Sequence, residues 1–163
     1  LIATHPEHAT LQQKWHFYRM VVGELLVGFP LFEMGCWDYF DDDERARRDF
    51  EQWSNGMITE EGARREPSGH DPYRPEPRFM TFTMAFLLVQ GSPTDLALRK
   101  LCDIPEAQLW HKATFHRILS GLGVLNFASI KGDVAYLIPR DPGWGLTQQD
   151  LAEPKFHYLR ALV

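Results

Sequence analysis

Lys112, Arg117 and Lys131 are the residues whose type and placement suit phosphate chemistry, two on a helix-forming stretch and one shortly beyond it. Cations so placed neutralise backbone phosphates and supply the sequence-independent part of the affinity for double-stranded DNA. Reading bases asks for more, namely several Arg, Lys, Asn or Gln on the first exposed turns of a helix. Only Gln108, Lys112 and Arg117 meet that demand here. Leu109, Trp110 and Ala113, interleaved with them, have the opposite chemistry. An apolar surface of that kind suits contact with another protein surface, in the same chain or in a second copy.

Other constellations carry less. His111 and His116 are five residues apart and fall on different helix faces, so they lack the spacing of a metal site. Asp38, Asp41, Asp42, Asp43 and Glu44 have no glycine turn of a calcium loop and read as a solvated helix start. His70 and Asp71 are adjacent on a Pro-rich stretch, where neighbouring side chains point apart. No nucleophile elbow or phosphate-cradling glycine loop is found, so no catalytic residue, metal or cofactor is expected. Cys36 and Cys102 read as free, buried thiols.

The elements that must position these residues follow from periodicity. Thr10 and Gln13 form a capping box, and Leu11, Trp15, Tyr18, Val22, Leu25, Leu26 and Phe29 recur at helical spacing behind it. Pro30 interrupts that helix, and Leu31 to Phe40 is expected to continue as a buried helix. Asp41 to Glu44 open the next helix, which shows an apolar stripe of Ala46, Phe50 and Trp53 and stops at Asn55 and Gly56. Four prolines between Pro67 and Pro77 mark a linker over residues 66–78.

Beyond it, Phe79 to Gln90 is apolar all round and is expected to be a doubly covered helix. Thr94 to Asp103 and Gln108 to Leu122 give two further helices. On a helical wheel the second of these turns His111, Phe115, Ile118 and Leu122 inward, leaving Ala113, His116, Arg117 and Ser120 outside. Val124–Ile130 and Val134–Ile138 read as strands joined by the turn Lys131-Gly132-Asp133. Thr147 to Val163 reads as one or two short helices broken at Pro154, with Phe156, Leu159, Leu162 and Val163 packing on the rest.

Three helices followed by a hairpin over residues 79–138 resemble the winged helix-turn-helix superfamily of bacterial transcriptional regulators. The resemblance implies a DNA-binding, transcription-regulatory protein, with Lys112, Arg117 and the wing residue Lys131 on phosphate. The alternative is a winged helix used for dimerisation or partner binding through Leu109, Trp110 and Ala113. The expected fold is mainly α with one β-hairpin: an N-terminal helical region (1–65), the linker (66–78), the winged-helix-like module (79–140) and a C-terminal tail (141–163).

Charge divides along the same lines. Residues 1–77 hold 8 Lys+Arg against 15 Asp+Glu, and residues 78–140 hold 7 against 4, so the module is mildly basic on an acidic chain. The apolar run from Met20 to Met34 is broken by Glu24, Pro30 and Glu33 and is too short to span a bilayer. A cytoplasmic protein with no membrane partner is expected.

Overall fold

The computed structural model describes residues 9–56, 77–139 and 145–163. Helix α1 (Leu11–Gly28) starts at the capping box: the Gln13 amide donates to Thr10 Oγ1 at 3.2 Å, and the Thr10 amide donates to Gln13 Oε1 at 2.8 Å. Pro30 diverts the chain into a 3-10 turn, Phe29–Leu31. The helix expected over Leu31 to Phe40 does not form; Met34–Gly35 is instead a short strand, β1, because its backbone pairs with the C-terminal strand β4 (Arg160–Ala161). Helix α2 (Asp43–Gly56) has Asp43 and Glu44 in its first turn and opens with the Asp42 carboxylate accepting from the Arg45 amide at 2.7 Å. Most of the expected linker, residues 66–76, lies outside the described residues.

Phe79 to Gln90 is not a helix but contains strand β2 (Thr81–Leu88), and its antiparallel partner is β3 (Ile130–Ile138). An apolar run with no polar face fits either period, and β-branched and aromatic residues (Thr81, Phe82, Thr83, Phe86) suit a pleated, covered surface. The expected hairpin is absent too: Phe127–Ser129 is a 3-10 turn, and Lys131, Gly132 and Asp133 lie inside β3. Tertiary contacts explain why a turn-like tripeptide stays extended. A Cβ on Gly132 would lie 2.8 Å from the Phe50 ring of α2, so only glycine admits that ring. Asp133 accepts from Lys14 Nζ and, at 3.1 Å, from the Tyr18 hydroxyl, both on α1. The fold is therefore mixed α/β, with two two-stranded antiparallel sheets among the described residues, rather than mainly α with one hairpin.

Helices α3 (Pro93–Cys102) and α4 (Lys112–Gly121) lie in the chain between the two long strands. Gly91, at φ +72°, makes the turn out of β2 and donates to Asp95, while Ser92 caps α3 by accepting from the Asp95 amide at 3.2 Å. After β3 come α5 (Gln148–Leu151), capped reciprocally by Thr147 and Asp150, a 3-10 turn at Pro154–Phe156, and β4. Of the one or two short helices expected there, one forms; Pro154 opens a 3-10 turn, and residues 160–161 are a strand.

Two clusters form the core. Tyr18 of α1 stacks on Phe127 at 5.2 Å and meets the edge of Phe86 of β2 at 4.9 Å, with Leu98 and Leu125 buried beside them. Val22, Phe29 and Leu119 form the second, flanked by Phe32 and Phe115. Because α1 supplies both clusters, it fixes where α3 and α4 stand relative to the β2–β3 sheet. No helix of the described residues is long and apolar enough to cross a membrane.

Candidate functional site

Helix α4 carries most of the residues singled out by their chemistry, and close contacts fix its position. A Cβ on Gly121 would fall 2.0 Å from Leu101 Cδ2, so glycine there lets α3 and α4 approach. At the other end of α4, Phe115 fills the space that a Cβ on Gly35 would occupy, 2.7 Å away, which holds β1 against the helix. Phe29 packs on the same side, 6.2 Å from Phe115 and 5.0 Å from the His116 ring. His111 does not face the core as the wheel implied. The helix expected from Gln108 starts only at Lys112, so His111 is its exposed N-cap residue, and Thr114 and Leu119 are the buried positions.

The cations do not gather into one phosphate-binding row. Arg117 is exposed on α4, Lys112 is half-buried on its first turn, and Lys131 is exposed on β3. Lys131 occupies a β-bulge: Leu87 pairs with Gly132 and Leu88 with Ile130, so no residue of β2 opposes it. Arg117 faces back toward α3 closely enough to favour the Cys102 thiolate, although burial outweighs it and pushes that thiol up to about 11. Burial, aided by Asp38, likewise pushes Cys36 up to about 11. Neither half-buried thiol is poised as a nucleophile at neutral pH.

An open groove of about 560 Å³ adjoins α3, lined by Tyr39, Asp41, Leu96, Arg99, Lys100 and Cys102 among others. Its Arg99 is engaged by Asp41 at 2.5 Å. Among the described residues no group of three or more His, Cys, Asp or Glu could hold a metal ion.

Leu109, Trp110 and Ala113 come together at the start of α4, with Leu109 and Trp110 half-buried and Ala113 exposed. Their backbone is occupied by other parts of the chain. The Trp37 indole donates to the Leu109 carbonyl at 3.2 Å, the Val163 amide donates to the Trp110 carbonyl at 3.0 Å, and the Lys112 amide donates to the Val163 carbonyl at 2.6 Å. Val163 is 76% exposed at this end, and Val27 and Leu31, on either side of Phe29 in the chain, are 80% and 84% exposed.

Sequence reasoning did not assign Trp37, β1 or the strand at 160–161 to this surface. The only signal was the apolar spacing of Leu159, Leu162 and Val163, which indicated packing without its destination. No family model, curated protein or solved structure matches the chain.

Proposed function

We propose that the chain is a protein-association module that pairs with a second copy through the start of α4 and the apolar residues around it. The observation that carries this reading is the occupied main chain of Leu109, Trp110 and Lys112. A helix that reads a DNA groove offers its first turn to the bases; here Val163 bonds the Lys112 amide that opens the helix, and Trp37 bonds Leu109 just before it. Ala113, Val163, Leu31 and Val27 meanwhile leave apolar surface in water. Exposed apolar surface marks association sites, and a patch that pairs with itself closes as a two-fold dimer.

Sedimentation velocity over a range of concentrations tests the reading. A reversible dimer is expected, with Leu31→Asp and Trp110→Ala shifting it toward monomer. A buried aromatic anchor contributes about 2 kcal/mol or more, so Trp110→Ala should weaken the dimer roughly thirtyfold. A wild-type chain that stays monomeric at every concentration sinks it.

DNA binding with a transcription-regulatory role is the second reading, favoured by the exposed Arg117 and Lys131 on a basic segment. Mobility shift on random duplex DNA at two salt concentrations would then show steep weakening with salt. Arg117→Ala or Lys131→Ala would lower affinity for all sequences alike.

A further inference from the structure

Buried hydroxyls gather on the face of the β2–β3 sheet that α2 covers. Among the described residues, Ser54 Oγ, Thr81 Oγ1 and the Tyr136 hydroxyl are closed to solvent and make no hydrogen bond to another protein group. Tyr136 is 6% exposed, and Ser54 and Thr81 are half-buried.

Strand periodicity places two of these hydroxyls side by side. Gly132 turns to the Phe50 ring of α2 with Leu87 next to it, so alternate residues from Thr81 to Leu87 and from Gly132 to Ile138 share that face. Tyr136 is opposite Thr83 in the ladder and diagonal to Thr81, whose own partner is Ile138. Diagonal neighbours stand about 7 to 8 Å apart, within reach of a tyrosine side chain. Ser54 approaches them from α2. It follows Phe50 by one helical turn, on the same side of the helix, and its neighbour Trp53 meets the Tyr158 ring edge-on at 5.0 Å. Tyr158 in turn stands beside Thr83. The end of α2 therefore lies over the part of the sheet that holds Thr83 and Tyr136.

The chemistry of this place suits a neutral guest that both donates and accepts. A hydroxyl has one hydrogen to give and lone pairs to receive, and it rotates to suit its partner. Charge is disfavoured, since burial pushes the Tyr136 phenol up to about 12 and raises Tyr158 as well. Buried polar groups left without a partner are costly, and a buried water makes about three hydrogen bonds to groups of this kind.

We propose that Ser54, Thr81 and Tyr136 form an internal hydration site, in which one water molecule bridges the end of α2 to the β2–β3 sheet. Phe50 and Trp53 supply the apolar part of the α2 contact, and the water supplies the polar part. The site is separate from the surface around α4 and does not depend on the association reading.

Magnetic relaxation dispersion of the water oxygen signal counts long-lived internal waters without interference from hydroxyl proton exchange. The full chain is compared with Tyr136→Phe, Thr81→Val and Ser54→Ala, each of which removes a hydroxyl oxygen with little change of shape, and circular dichroism checks that each is folded. The dispersion amplitude should fall by the contribution of one water in Tyr136→Phe, and the urea midpoint should fall in all three variants. Combining Tyr136→Phe with Ser54→Ala should lower the midpoint by less than the sum of the two, because a shared water is lost once. An amplitude identical in wild type and every variant overturns the proposal. A midpoint that rises as each hydroxyl is removed, the behaviour of groups with no partner at all, overturns it as well. Strictly additive losses overturn the shared bridge.

Discussion

The two sheets are built on opposite terms. In the β2–β3 sheet the ladder runs from Thr81 opposite Ile138 to Leu88 opposite Ile130, α1 covers one face through Tyr18, and α2 covers the other through Phe50. A polar tie locks it further, because Asp133 reaches Lys14 and Tyr18 on α1. In the β1–β4 sheet each strand has two residues, both residues of β4 are exposed, and the adjoining Leu162 is the buried anchor. The first arrangement holds the molecule together. The second has few main-chain bonds and one buried side chain, the features of a low-stability unit.

Truncating the long sheet's core partner should have the largest effect. Phe127→Ala removes a ring stacked on Tyr18 and is expected to destabilise the protein by about 3 to 5 kcal/mol in urea unfolding. A loss similar to that of a tail substitution would abolish the distinction between the sheets. Next comes Asp133→Ala, which strips the Tyr18 hydroxyl and Lys14 of a shared acceptor, for about 1 to 3 kcal/mol by the same measurement.

Alkaline titration sharpens the comparison differently. Burial pushes the Tyr136 phenol of β3 from 10.0 up to about 12, and burial, reinforced by Asp133, pushes Tyr18 higher still. Because the unfolded chain ionises first, the stability these phenols confer is complete below pH 10 and is lost as pH rises through their folded values. Phenolate absorbance should therefore lag behind that of free tyrosine and rise together with unfolding.

The smallest change belongs to the short sheet. Leu162→Ala should cost about 1 kcal/mol or less globally, since a segment held by a two-residue ladder can open locally. Hydrogen exchange at the amides of Leu162, Val163 and Lys112 should be fast even in wild type, while amides in the centre of β2 and β3 exchange only on global unfolding. Equal protection of both sets would mean that the tail is part of the core.

Local signals were legible where they were sufficient. The Thr10–Gln13 box and the apolar spacing behind it identify α1, and the Pro93 start and Ile104-Pro105 break delimit α3 to within a residue or two. Phe79 to Gln90 was misread because its decisive partner is β3, far along the chain, and an all-apolar run carries no period of its own. Lys131-Gly132-Asp133 misled for a related reason: glycine and aspartate mark turns when solvent is their neighbour, but Phe50, Lys14 and Tyr18 are the neighbours here. Of the surface around α4, Ala113 is exposed as the wheel implies, whereas Trp110, placed with it, is half-buried. The segment that lies against them was visible only as apolar residues needing a place to pack.

The separation of β2 from β3 also sets the order in which the chain can fold. Even their nearest partners, Leu88 and Ile130, are 42 residues apart, and Tyr18 meets Asp133 across 115. Contacts so distant make folding slow, because the loop must close before the contact rewards it. During synthesis β2 is made before β3, its ladder partner among the described residues. Until Ile138 has emerged, Phe82, Met84 and Phe86 lie on an unpaired strand, open to pairing with a neighbouring nascent chain. Helices α3 and α4, which meet through Leu101 and Gly121, fill that interval, and α4 also packs on the already synthesised Phe29 of α1. By forming early they shorten the search that brings β3 back to β2.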